Sequence, residues 1–393
     1  MDVRAPGSLD HPPALGIYLH VPFCASICPY CNFTRGLLSD SLKGRYVSAL
    51  EEEIRAATGR GADADSIYFG GGTPSLLDPA EVGRIIRACH GSFDVAASAE
   101  VTLEANPETV TARSLAGFRE AGVNRLSLGV QSFRDEELKR LGRLHNAEMS
   151  RRAVAMARKA GFDNISLDLM LWLPQQTTAQ LMESVDCLVA TGPEHASLYL
   201  LELYPNAPLR DEMAREGWSL APDEDAASMY LGAMERLEGA GYQQYEISNV
   251  SRPGRRSRHN LKYWTGGEWV GFGCGAHSTR GGLRWKNVAA TEQYVGRVES
   301  GVGVVADSRP LSPADQLEEA LFMGLRLADG VDLGLVGARH GVDVWARYGA
   351  RLAPYLEAGL LVHEAGWFRL TRRGMLLANE VMSAFVEADS TVK

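Results

Sequence analysis

Three cysteines within eight residues are the feature of this sequence most able to do chemistry. Cys24, Cys28 and Cys31 stand in C-x3-C-x2-C spacing directly after a short apolar run at 16–21. Thiolates this close can take three corners of one iron–sulfur cluster, because only a short loop has to wrap around it. A structural zinc asks for four protein ligands, commonly two separated C-x2-C pairs, and no second pair exists here. Zinc would have to borrow His20 or one of the scattered Cys89, Cys187 and Cys274. Three thiolates on a [4Fe–4S] cube instead leave one iron without a protein ligand. The uneven distribution also fits no disulfide framework.

The elements around this loop follow a regular plan. Candidate strands at 16–21, 66–69, 99–103, 125–130, 164–169 and 196–201, with a further one near 243–247, alternate with helical patterns at 41–57, 79–89, 112–121, 147–160 and 179–191. Asp78 and Thr111 suit helix starts, while Gly122, Gly161 and Gly192 suit helix stops. Alternation at a spacing of ~30 residues is the βαβ pattern of a parallel sheet. Six units predict an α/β fold, a partial (β/α)6 TIM-type barrel that lacks the two units needed to close it.

Past Tyr263 the texture changes to Gly-rich turns and aromatics. From Ser312 the spacing predicts helices at 313–327 and 333–348, two strands at 361–363 and 367–370, and a helix at 372–388. We therefore expect a flexible N-terminus at 1–14, a barrel over 15–305 and a small α+β module at 306–393.

At the strand ends, the run Gly70-Gly71-Gly72-Thr73 offers free backbone N–H groups with no Cβ in the way. Glu104 ends the third strand, Gln131 the fourth and Asp168 the fifth, all at the barrel mouth. On spacing alone, a helix cap or strand-end ion pair is the ordinary reading of Gln131 and Asp168.

Several segments together carry a family resemblance. Ile17-Tyr-Leu-His-Val-Pro-Phe-Cys24, Tyr68-Phe-Gly-Gly-Gly-Thr-Pro-Ser-Leu-Leu77, Glu104-Ala-Asn-Pro-Glu108, Leu141-Gly-Arg-Leu-His145 and Tyr245-Glu-Ile-Ser-Asn249 resemble the radical S-adenosylmethionine (SAM) superfamily. Within it the chain is similar to the coproporphyrinogen-oxidase-like group and to that group's haem chaperone branch. The resemblance implies a [4Fe–4S] cluster on Cys24, Cys28 and Cys31. It also implies SAM on the open iron, cleaved to a 5′-deoxyadenosyl radical, and an electron donor for the cluster. Tyr18, Gly71, Gly72, Thr73, Glu104, Gln131, Arg143 and Asp168 match SAM-contacting positions of the group, and Tyr30 matches a residue near the cluster.

The resemblance also bears on cargo. The oxidases usually carry a further cysteine two positions after the third, where this chain has Phe33. His259-Asn260-x-x-Tyr263-Trp264, in the segment 245–285, resembles a haem-binding signature of the chaperone branch. An imidazole can ligate haem iron and aromatic rings can stack on the macrocycle. Arg252, Arg255, Arg256 and Arg258 are candidates for its propionates. His277 and Cys274 are secondary candidates for haem ligation, with core packing the ordinary role of Cys274. A hydrogen-bonded loop histidine with a core tryptophan is the plainer reading. The implied function is a haem chaperone that passes haem to an acceptor protein. The alternatives are a radical SAM enzyme acting on a porphyrinogen and a radical SAM methyltransferase. Asn32, Trp172 and Tyr204 depart from the group's usual residues, and the last two are expected at the barrel mouth.

Composition closes off other classes. The 393 residues are 45% hydrophobic and 23% charged, near the globular average. Forty basic against 49 acidic side chains give −9, which argues against a nucleic-acid binder tracking phosphates. No stretch nears the ~20 apolar residues of a membrane span. The start of the chain lacks the apolar region of a signal peptide, so a cytoplasmic address is expected.

Overall fold

The computed structural model describes residues 14–57 and 62–386; the expected flexible N-terminus lies, but for Ala14, outside them. Six strands run side by side in chain order: β1 (Leu15–Val21), β2 (Asp63–Gly71), β3 (Asp94–Ala105), β4 (Arg125–Gln131), β5 (Ile165–Leu171) and β6 (His195–Leu200). Every neighbouring pair is parallel, as the repeat spacing predicts.

Helices Asp40–Ala56, Pro79–Ser92, Ala112–Glu120, Ala147–Lys159 and Thr178–Thr191 form the crossovers. Local chemistry sets their ends. Thr111 caps its helix by accepting from the Ser114 N–H at 3.1 Å, and Gly192 stops another with φ of +65°, where a Cβ would strain the backbone.

The two faces of this sheet differ in a way that positions the site. Outward positions such as Ile67, Phe69, Leu103, Leu126, Leu128, Leu167 and Ala196 are buried among the helices. Inward positions are polar and sit in matching register: Tyr68 beside Thr102, Glu104 beside Ser127, Ser127 beside Ser166, and Asp168 beside Ser197. Period-two alternation thus lines the trough of the half-barrel with hydroxyls and carboxyls.

The sheet extends beyond the six strands. On the β6 side lie the short antiparallel strands β7 (Gln243–Gln244) and β8 (Asn249–Ser251). On the β1 side, β9 (Trp269–Phe272) adds in parallel to β1. Then β10 (His277–Arg280), β11 (Leu283–Asn287) and β12 (Val305–Pro310) continue antiparallel. The order is β12-β11-β10-β9-β1-β2-β3-β4-β5-β6-β8-β7. The Gly-rich, aromatic stretch after Tyr263 therefore forms strands, and β1, bearing the cysteine loop, is an interior strand.

The boundary expected at 305/306 falls inside β12, which still belongs to the large sheet. A separate three-stranded sheet of Val331–Asp332, Trp367–Leu370 and Leu361–Glu364 follows. The single helix expected at 333–348 is two, Leu333–His340 and Val344–Glu357. Gly341 at φ +66° ends the first, and Asp343 starts the second by accepting from the Ala346 N–H. The helix expected at 372–388 is likewise two short ones, Arg372–Leu376 and Ala378–Ser383, and its last two residues lie outside the described ones. Among the described residues no helix is long and apolar enough to cross a membrane.

Replacing the Thr111 hydroxyl removes the acceptor for an otherwise orphaned N–H. Thr111→Ala is expected to cost about 1 kcal/mol, read as a lower urea midpoint with an unchanged slope.

Candidate metal centre and cofactor cavity

A cavity of about 420 Å³ opens at the carboxyl ends of the parallel strands. Cys24, Cys28 and Cys31 all line it as free thiols. Glycines bring the neighbouring turn against them. Gly71 has φ +117°, and a Cβ there would strike the His20 ring at 2.6 Å. A Cβ on Gly72 would lie 2.7 Å from the Phe23 carbonyl oxygen and 3.0 Å from Cys24 Sγ.

Thr73 then points its hydroxyl at Cys24 Sγ, 3.7 Å away. Arg143 reaches Cys28 Sγ at 3.5 Å and anchors on Asn106 Oδ1 at 2.6 Å and the Gly129 carbonyl at 2.9 Å. Arg35 donates to the Cys31 carbonyl. Behind Arg143, the buried His145 bonds Glu108 at 2.8 Å and the Val130 carbonyl at 3.0 Å, fixing the loop that carries the arginine.

These residues suit a cluster better than a single ion. Among the described residues no three His, Cys, Asp or Glu side chains converge on one ion position. His20, the ligand a zinc site would borrow, has both ring nitrogens engaged, with the Tyr18 hydroxyl at 3.1 Å and the Thr34 carbonyl at 2.8 Å. A cluster asks instead that each thiolate meet its own iron, which three sulfurs around one cavity satisfy. Burial pushes the Cys24 and Cys31 thiols up from their ordinary value, an effect that a bound metal cluster would oppose. Two guanidinium nitrogens of lining residues, Arg35 Nε and Arg143 Nε, are buried without a hydrogen-bond partner.

Two carboxyls supply the other polarity. Glu104 accepts from the Tyr68 hydroxyl at 2.7 Å and from the Gly71 N–H at 3.3 Å. Burial, with Asp168 adding repulsion, pushes its carboxyl up to about 7. Burial likewise raises Asp168 to about 6, against the hydrogen bonds from Ser197 and Ser127. Paired acids desolvated beside a cavity favour a cationic ligand group, which would restore both to carboxylates.

Gln131 lines the same wall with a left-handed φ of +65°, a rare backbone for a non-glycine residue. The rim is apolar: Phe33 is 69% exposed, with Tyr199, Leu200 and Tyr204 beside the opening.

Of the expected site residues, the structure brings Tyr30, Gly71, Gly72, Thr73, Glu104, Gln131, Arg143 and Asp168 to this cavity with the three cysteines. Tyr18 is not on its wall; it lies within the trough, its ring against Tyr68 and its hydroxyl on His20. Tyr204 lines the mouth as expected. Trp172 does not: its φ of +64° turns it away, and its indole N–H bonds the Ala221 carbonyl at 2.8 Å. Asn106 and Tyr68 are the residues the spacing did not single out, although both lie within segments that carried the resemblance.

The expected haem signature lies elsewhere. Helix Arg258–Trp264 fills the trough beneath the cavity, and His259 is 1% exposed. Its Nδ1 meets Ser66 Oγ at 3.0 Å and its Nε2 the Tyr263 hydroxyl at 2.9 Å. Burial pulls the ring down to about 3, so it is neutral and offers no free nitrogen. The upstream arginines are engaged as well: Arg255 with Asp163, Arg256 with Asp329, Arg252 with the Ala240 carbonyl and Arg258 with the Ser98 carbonyl. Asn260 accompanies His259 on the helix, and Trp264 packs against the Arg326 guanidinium. Cys274 is buried at Thr291, and His277 is exposed on β10.

Comparison with known proteins places this geometry in context. Residues 18–188 match the radical SAM superfamily model and residues 311–377 the HemN C-terminal domain model. The protein named heme chaperone HemW of Bacillus subtilis (strain 168) is 36% identical over 376 residues, 94% of this chain and 98% of that one. Heme chaperone HemW of Escherichia coli (strain K12) is 38% identical over 384 residues, covering 95% and 98%. The mitochondrial radical S-adenosyl methionine domain-containing protein 1 of Bos taurus is 34% identical over 398 residues, covering 96% and 88%. Among solved structures, coproporphyrinogen III oxidase (HemN) from Escherichia coli superposes with a TM-score of 0.84 at 23% identity, covering 95% of this chain and 90% of that one, a likeness of fold.

The raised Glu104 carboxyl has a consequence for the cofactor-free protein. Its folded value, about 7, exceeds the ordinary 4.5, so the stability it permits in acid is lost as pH rises through the folded value. Glu104→Gln is expected to melt about 3 °C above the parent at alkaline pH and level with it in acid, by calorimetry.

Proposed function

The chain belongs to the heme chaperone HemW family of the radical SAM superfamily, and on that footing we propose that it binds haem and passes it to an acceptor protein. The observation that carries this reading is a likeness to proteins of that name running through both the cysteine loop and the C-terminal module. Residues Cys24, Cys28 and Cys31 hold a [4Fe–4S] cluster. When bound, that cluster would supply the electron that cleavage of the SAM sulfonium needs, which calls for an electron donor.

The chain's own residues do the positioning. The Gly71–Thr73 turn would present backbone to the SAM carboxylate and Glu104 would receive its ammonium group, with Asp168 and Gln131 lining the same cavity. Arg143 bridges the Cys28 sulfur to Asn106 and so holds the loop against the strand ends. Phe33, in place of a fourth nearby cysteine, leaves an apolar ring at the rim.

Haem ligation by His259 belongs to an opened state. Nε2 is held by Tyr263 of the same helix and Nδ1 by Ser66 of β2, so withdrawal of the helix from the trough frees Nδ1 for iron.

Two measurements test the reading. Alanine at Cys24, Cys28 or Cys31 is expected to abolish the brown absorbance near ~400 nm of the reconstituted protein; an unchanged spectrum overturns the cluster. In an anaerobic haem titration followed at the Soret band, we expect saturation near about one haem per chain, reached slowly and weakened in His259→Ala. Absence of saturable binding, with turnover of coproporphyrinogen, would make the protein an oxidase instead.

A further inference from the structure

The buried signature helix touches the cofactor wall through a short chain of side chains. His259 lies against Tyr68 with ring centroids 5.1 Å apart and planes inclined by 27°. The Tyr68 hydroxyl donates to Glu104 Oε1 at 2.7 Å. On its other edge His259 is fixed by Ser66 at 3.0 Å and Tyr263 at 2.9 Å, and Tyr18 closes the stack with its ring 6.2 Å from that of Tyr68. The polar atoms of this chain are all engaged: the Tyr68 hydroxyl with Glu104, and the His259 ring nitrogens with Ser66 and Tyr263.

From this geometry we infer that Tyr68 and His259 are positioning residues for SAM, fixing the Glu104 carboxylate from beneath. The inference rests on the reading of Glu104 as the acceptor for the SAM ammonium. It adds that the haem signature helix, in its buried state, is the foundation of the cofactor site.

The physical argument is one of alternatives. A glutamate has three torsions, and an unsupported carboxylate at a cavity wall samples several of them at a cost to any ligand that needs one. The Tyr68 hydroxyl selects a single position and stabilises the charged form. Tyr68 can do so only while its own ring is held, and His259 is the flat surface against it. Glu104 faces Tyr68 from β2, Tyr18 from β1, Arg125 from β4, Asp168 from β5, Tyr199 from β6 and Tyr263 from the helix. Among these the Tyr68 hydroxyl is the hydrogen bond that lowers its proton affinity most. Its loss therefore moves ionisation of Glu104 to higher pH.

The test is calorimetric titration of SAM into the full-length, cluster-reconstituted protein across neutral pH. Tyr68→Phe keeps the ring and the fold. We expect it to weaken SAM binding about tenfold at neutral pH, with the midpoint of the pH dependence displaced upward and the loss only partly recovered at alkaline pH, the positional part persisting. We expect His259→Ala to weaken SAM similarly and His259→Phe, which restores a ring against Tyr68, to recover most of it. A folded Tyr68→Phe protein with parental affinity and pH midpoint overturns the inference, as does failure of His259→Phe to recover what His259→Ala loses. If the parent itself binds no SAM, the cofactor reading of the cavity falls first, and this inference with it.

Discussion

Between Gly72 and the cysteine loop there is no room for a side-chain carbon, and the arrangement at the mouth of the sheet follows from that closeness. The Gly72 N–H bonds the Val21 carbonyl at 2.8 Å, tying the end of β2 to the end of β1 where the loop begins. Thr73 is thereby delivered to Cys24, and Asn106 to Thr73 and Arg143. One backbone contact thus sets the distance between the thiols, held by β1, and the carboxylates, held by β3 and β5. A Cβ at Gly72 would separate the two halves of the site before altering any ligand.

The polarity of the trough explains how a half-barrel remains stable while open. A closed barrel fills its interior with branched apolar side chains. Here the inward positions are serine, threonine, tyrosine, glutamate, aspartate and a buried Arg125; several pair across the strands, while Thr102 Oγ1 and Arg125 Nε have no partner. His195 accepts or donates to Ser166 and Tyr245 at 2.8 Å each, and Ser127 reaches Asp168 at 3.4 Å. Such a network tolerates a polar ligand at one end and a helix at the other, which an apolar core would not. The cost is a set of desolvated acids whose ionisation depends on what binds above them.

Much of this was legible in the sequence, for reasons that differ by residue. The six parallel strands were readable because covered strands are apolar runs at regular spacing, and Thr111 and Gly192 because caps act locally. The cysteines were readable because cluster ligation needs only loop spacing. Tyr68 and Asn106 were not, since their roles come from register between strands and from contacts across the cavity, which no local pattern records. His259 shows a different limit: an imidazole among aromatic residues has the chemistry of an iron ligand, but its burial and its bonds to Ser66 and Tyr263 are long-range packing that no local pattern records. Trp172 stood out as a departure at the mouth, but a left-handed backbone there aims the side chain elsewhere. The strands after Tyr263 escaped because glycine-rich segments carry a weak alternation signal, and their pairing with β1 is a long-range event.

Leaving the sheet unclosed also leaves it, among the described residues, with two unpaired margins, and their make-up discourages a passing strand. At one margin β7 is only two residues long, too short to template a passing strand. At the other, all six residues of β12 face solvent, and the sequence Val-Ala-Asp-Ser-Arg-Pro places charges of both signs and a proline along the open edge. A proline has no N–H to offer, and charged side chains penalise flush stacking of strands. A sheet of twelve strands with apolar margins would invite fibrous growth; this one is terminated by brevity at one side and by charge and proline at the other.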